Sequence, residues 1–246
     1  MNNEVLIAQA AAFKSDARRE FEAAVAALIA LAFRYNRMGA NFLWDADPEL
    51  NDKANEILRG MSDRLAQKAK ARALSLSREE GWAWGGDAWE DVNERQETTL
   101  LTRFDQQGSF LRELLEVWIA LAFVNGLSQS FLKISVIRYL ADPYASPLWK
   151  GLPSGLLKRG PGYQRNIIDQ ITLIGQDAII AAVRRTEWMD AMDNGAIFWV
   201  WRRGSNFKCP DCEANKDKAF PMDIPFDTLH PRCMCYAEYH YETLEI

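Results

Sequence analysis

The stretch KCPDCEANKDKAFPMDIPFDTLHPRCMC, Lys208 to Cys235, holds all four cysteines of a 246-residue chain, at Cys209, Cys212, Cys233 and Cys235. Two residues between Cys209 and Cys212 let a tight turn aim both sulfurs at one point, the first half of a zinc knuckle. One residue between Cys233 and Cys235, on extended backbone, puts both on the same face. A turn at His230-Pro231 would instead swing His230 into the site. Two ligand sets follow: Cys209, Cys212, Cys233 and Cys235, or Cys209, Cys212, His230 and one later cysteine. Either makes the closed tetrahedral site that structural zinc prefers. Disulfides and buried free thiols are the competing uses, but clustered cysteines in a chain without an export signal favour metal.

The rest of the composition bounds what surrounds this cluster. With 48% hydrophobic residues the chain can bury a substantial core in one or two domains. The longest nearly unbroken apolar run, Ala23 to Phe33, falls well short of the roughly 18–20 residues a membrane span needs, and Met1–Glu4 lacks the basic start of a signal peptide. A non-membrane protein that stays where it is made is the expectation. The net charge of −5 gives no global attraction to nucleic acid, so any such contact must be local.

Upstream, the pattern is helical. From Val5 to Met38 there is no proline or glycine, and Phe13, Ala17, Phe21, Ala24, Leu28, Ala32 and Tyr35 recur at helical steps. Gly39 suits a left-handed cap beyond that helix, and Asp47-Pro48 offers an N-cap and first-turn pair for a second helix reaching about Leu76. Val92–Gln107 and Ser109–Ala141 continue the apolar periodicity, with a break expected near Gly126. The pentapeptide IALAF occurs twice, at Ile29–Phe33 and Ile119–Phe123, each copy followed by an Ala-Asp-Pro, which raises a duplicated helical hairpin. Tyr163–Asn194 reads as another long helix stopped at Asn194-Gly195. Ile197–Trp201 and Cys235–Tyr241 then read as two partner strands.

Two segments interrupt the helices. Gly81–Trp89, GWAWGGDAW, interleaves glycines with Trp82, Trp84 and Trp89. It suits a flexible loop, either a docking patch or a loop whose indoles fold onto the core. Between Pro143 and Gly162 lie four prolines and four glycines, which forbid long regular structure. Nearby Lys150, Lys158, Arg159 and Arg165, without an acid among them, could meet phosphate or an acidic partner, or be a solvated linker.

Catalysis finds few candidates. The chain has two histidines, His230 and His240, so a Ser/His or Cys/His catalytic pair is hard to build, and His240 sits in the aromatic strand pattern. No phosphate-cradling glycine loop occurs. Cys209-Pro-Asp-Cys212 lacks the flanking strand and helix of a thioredoxin-like redox pair. No enzymatic activity is expected.

Taken in order, Arg185-Thr186-Glu187, Asn194-Gly195, Trp201, Cys209-Pro-Asp-Cys212 and His230-Pro231-Arg-Cys233-Met-Cys235 resemble the C-terminal domain of phage head morphogenesis proteins, the Mu F-like minor head proteins. The resemblance spans roughly residues 164–241. Met234 stands where that family usually has arginine. The resemblance implies a low-copy structural component of the virion, in the capsid interior or portal region. It would act with the portal or major capsid protein during head assembly and DNA packaging or ejection. Beside it, Arg185 and Glu187 are candidates to tie the cysteine loops to the preceding helix through charge-assisted bonds.

The expected architecture is mainly α with a small α+β zinc-stabilised C-terminal domain. Residues 1–150 form a helical domain, 151–162 a Pro/Gly-rich basic linker, and 163–246 the minor head protein-like domain. The alternative is a zinc-ribbon-like nucleic-acid-binding protein that uses the basic linker and a stacking patch of Trp199, Trp201, Arg202, Arg203 and Phe207. Against it, residues 196–246 carry six basic side chains and eight acidic ones.

Overall fold

A computed structural model describes residues 3–35, 39, 41–95, 99–141, 167–204, 209–227, 233 and 235–241. In chain order these form α1 (Asn3–Arg34), a single 3-10 turn (Trp44–Ala46), α2 (Pro48–Glu79), α3 (Gly85–Arg95), α4 (Leu100–Val124), α5 (Gln129–Ala141), α6 (Ile167–Asp193), β1 (Phe198–Arg202), α7 (Pro210–Asn215), β2 (Ala219–Pro221) and β3 (Tyr236–His240). The fold is mainly helical with one small antiparallel sheet, as the periodicity predicts. The linker expected at 151–162, and with it Lys150, Lys158, Arg159 and Arg165, lies outside the described residues. No described helix is long and apolar enough to cross a membrane.

The boundaries have local causes. Asp47 Oδ1 accepts the Leu50 N–H at 3.1 Å, closing the first turn of α2 next to Pro48. Gly126, at φ +62°, ends α4 where the break is expected. At the end of α6 the Ala196 N–H reaches back to Ala191 O at 2.9 Å over Gly195, which sits at φ +82°.

The chain divides into two compact units, each discontinuous in sequence. One consists of Lys14–Ala66 and Leu101–Thr172, and among its described residues all regular structure is helical. Within it Trp44 is fully buried: its indole N–H donates to Arg112 O at 3.0 Å and its backbone N–H to Glu116 Oε2 at 3.0 Å. The two IALAF copies meet there, with the Phe33 and Phe123 rings 5.0 Å apart. The Trp118 and Tyr139 rings stand edge to face at 4.6 Å.

The other unit joins Met1–Phe13 and Gln67–Leu100 to Leu173–Ile246 and contains the cysteines. The C-terminal region therefore packs with the first helix turns and with α3, a partnership that a division of the sequence near residue 150 does not contain. Gly85 opens α3 because a Cβ there would lie 3.1 Å from Leu74 Cδ2 and from Ser77 Cβ of α2. The expectation of a flexible loop from Gly81 to Trp89 is thus corrected in its second half: the glycine serves close helix packing, and Trp89 lies on α3, 5% exposed.

The closest approach is at Gly175 of α6, where a Cβ would stand 2.0 Å from the Phe13 ring of α1. Phe13 is fully buried and cannot swing aside. Gly175→Ala should therefore destabilise this unit by about 1–3 kcal/mol through overpacking. Thermal denaturation should show it, and Phe13→Leu on top of it should recover part of the loss.

Candidate metal centre

Cys209 is the residue before α7, and Pro210 takes the first helical position, where its missing N–H costs nothing. The Glu213 N–H donates to Cys209 O at 2.9 Å, winding the chain so that Cys209 and Cys212 stand three apart on one face. On the other side β1 pairs antiparallel with β3, Trp201 opposite Ala237 and Trp199 opposite Tyr239. This brings Cys235, which immediately precedes β3, beneath the sheet. β2 completes the order β2-β1-β3. Asp217, at φ +59°, turns the chain back into it, donating its N–H to Trp201 O at 2.9 Å.

The sulfurs of Cys212, Cys233 and Cys235 lie within 4.8 Å of one another, and all three residues are buried. The Cys209 thiol is a hydrogen-bond neighbour of Cys212. None of the four cysteines is in a disulfide. The Cys212 and Cys233 sulfurs are 3.8 Å apart, nearly twice the ~2.05 Å of an S–S bond. Two thiolates bound at about 2.3 Å to one tetrahedral ion would stand about 3.8 Å apart, so the observed edge fits a metal-centred arrangement. Three buried cysteines are therefore close enough to bind one metal ion. His230 and Pro231 lie outside the described residues.

The electrostatics divide the cluster. Cys235 is held down to about 5, first by the hydrogen bond from Cys233, then by the Cys212 thiol, the Trp201 side chain and the Gly204 backbone. Cys212 is pushed upward, first by burial and then by its cysteine neighbours. One thiolate is thus accommodated where several are not. The Trp201 indole N–H is buried without a hydrogen-bond partner of normal geometry, yet it stands near enough to favour the Cys235 thiolate. A sulfur bearing negative charge, as a metal ligand does, is the acceptor that position lacks.

The surroundings are apolar and aromatic. Trp199 and Trp201 are 2% and 3% exposed, and Phe226 packs edge-on to Trp199 at 5.3 Å. The Trp199 indole N–H donates to Ile224 O at 2.8 Å. These two tryptophans are core and present no face for base stacking. Arg202 pairs with Asp217 and Glu238 at 2.5 Å each, and Arg203 with Glu213. Phe207 lies outside the described residues. His240 stacks on Phe198 at 4.5 Å, on the strand where the aromatic pattern puts it.

Arg185 finds its partner on α3 rather than in the cysteine loops, and His230, a partner considered for Glu187, lies outside the described residues. Arg185 is 2% exposed, donates to Asp91 Oδ2 of α3 at 2.5 Å and lies over the Trp188 ring at 4.5 Å. Thr186, fully buried, donates to Ala182 O and meets Ser77 Oγ of α2 at 3.4 Å. Glu187 pairs with Arg184 at 2.6 Å, on its own helix. Arg185 and Thr186 thus dock α6 on α2 and α3. Asn194 caps its helix through Asp190 O at 2.9 Å.

Of the three docking tryptophans, Trp89 is buried in its own unit and offers no surface. Trp82 and Trp84 are half-buried, and the Trp84 indole donates to Asp193 Oδ2 at 3.2 Å. The sequence reading missed Asp91 altogether, because one carboxylate on an exposed-looking helix carries no local mark of a partner 94 positions away.

Compared with family models, curated proteins and solved structures, the chain matches none.

Because Arg185 is almost fully enclosed and its partner carboxylate is less than a third exposed, Asp91→Ala should leave a buried guanidinium uncompensated. It should cost about 3 kcal/mol. Chemical denaturation of Asp91→Ala against Glu90→Ala, a neighbour whose ion pair with Lys70 is exposed, measures the difference, with the second variant near wild type.

Proposed function

We propose that the chain is a structural minor head protein of a phage capsid, acting near the portal during head assembly, with a C-terminal region held closed by one zinc ion. The observation that carries this reading is the buried thiol cluster. It gathers Cys212, Cys233 and Cys235, and these belong to the motif order Cys209-Pro-Asp-Cys212 and Cys233-Met-Cys235 that resembles the Mu F-like minor head proteins. The metal would be held by Cys212, Cys233 and Cys235, with Cys209 as the fourth ligand. A d10 ion bound by four thiolates has no open position, so its contribution is folding free energy rather than chemistry. The segment it closes is short and rich in loops, and the ion would tie those loops to the small aromatic core of Trp199, Trp201 and Phe226. Partner choice would fall to the helical surfaces.

Elemental analysis of protein purified without added metal should give one zinc per chain. Cys212→Ser should lose most of it, and a strong chelator should open the region after residue 195 to protease while the helices before it stay protected. No zinc, together with unchanged protease fragments, would dismiss the metal. For the assembly role, the protein should co-sediment with portal or procapsid and appear at low copy number in purified particles. Steep salt-dependent DNA binding without particle association would favour the nucleic-acid reading through the basic linker instead.

A further inference from the structure

The helix α5 is apolar on two sides. Leu132, Val136, Tyr139 and Leu140 are buried in its own unit, while Phe131 and Ile134 on the outer side are 46% and 53% exposed. Arg138, one turn beyond Ile134 and in line with Phe131, gives that outer stripe a positive end. A helix that carries large apolar residues on both faces is one whose outer face is covered in use.

In the same unit, the outward face of α2 has the complementary form. Asp52, Glu56, Arg59, Gly60 and Asp63 line an open groove of about 430 Å³. Its three acids outnumber its single arginine. Asp52, Glu56 and Asp63 make no ion pair with a described residue. Gly60 is unexplained by the fold itself: its backbone is ordinary helix, and a Cβ there would meet only the movable end of Arg64, at 3.2 Å. A glycine inside an exposed helix costs about 1 kcal/mol relative to alanine. What it provides is a floor low enough for another chain's side chains.

We infer that the α5 stripe of one copy of this chain seats in the α2 groove of a second copy, Phe131 and Ile134 over Gly60 with Arg138 against the acidic wall. The two patches are different surfaces of one molecule. The contact therefore either is made twice between two copies or runs head to tail, into a closed ring or an open filament. The inference does not depend on the metal or on the role in a capsid.

The test is the solution mass of the full chain, zinc-loaded, by light scattering across concentrations up to about 50 µM. The wild type should exceed the 28.1 kDa monomer mass at least twofold. Ile134→Asp should return it to monomer. Gly60→Leu should do the same while leaving thermal stability equal or higher, since it fills the groove and favours the helix, so loss of association cannot be put down to misfolding. An equimolar mixture of the two variants retains one intact stripe and one intact groove per pair, and should give dimers and nothing larger. A wild type that stays monomeric throughout, or an assembly that neither substitution disturbs, overturns the inference.

Discussion

Three buried sulfurs within 4.8 Å of one another set a constraint that the end of the chain must satisfy. At an effective dielectric of about 20, two like unit charges about 4 Å apart repel by about 4 kcal/mol. Without an ion, the surroundings favour the charged form of Cys235, through the hydrogen bond from Cys233, and disfavour that of Cys212, through burial. A divalent cation at the centre reverses the sign of the problem, because every added thiolate is then attracted. The aromatic layer around the sulfurs sharpens the contrast, because it penalises any state with unpaired charge.

The long α6 helix connects that site to the rest of its unit. Its last two turns hold Trp188 and Ala191 against the cysteine-bearing core. The same segment carries Arg185 and Thr186 toward α3 and α2. A guanidinium 2% exposed is held by a carboxylate and by the indole face beneath it, and Gly175 lets the helix lie directly on Phe13. Among the described residues the sheet has three short strands, so position is imposed on it from the helical side.

The long helices α1, α2 and α6, the break at Gly126, the stop at Gly195 and the pairing of Phe198–Arg202 with Tyr236–His240 were legible, because each rests on periodicity or on one residue's backbone preference; α7 and the division between α3 and α4 were not. The gathering of the cysteines was legible from spacing. β2 was not: Ala219-Phe220-Pro221 is too short to alternate and ends in a proline that ordinarily speaks against a strand. The start of α3 was misread because Gly85 looks like a source of flexibility when its neighbours are unknown, and becomes a packing requirement once Leu74 and Ser77 are beside it. Arg185 was assigned to the cysteine loops by proximity in sequence, whereas its carboxylate comes from α3. Pairings over such separations leave no trace in one sequence.

The unit that contains the cysteines includes both Met1–Phe13 and Leu173–Ile246. Leu6, Ala10 and Phe13 are all buried there, and Gly175 of α6, which lies against the Phe13 ring, is made more than 150 positions after Phe13. Contacts so distant along the chain are slow to form, since loop closure must precede any gain from packing. The Phe13 side of α1 therefore lacks its α6 neighbour until that helix has been made, and the unit's exposure to misassociation is greatest in that interval.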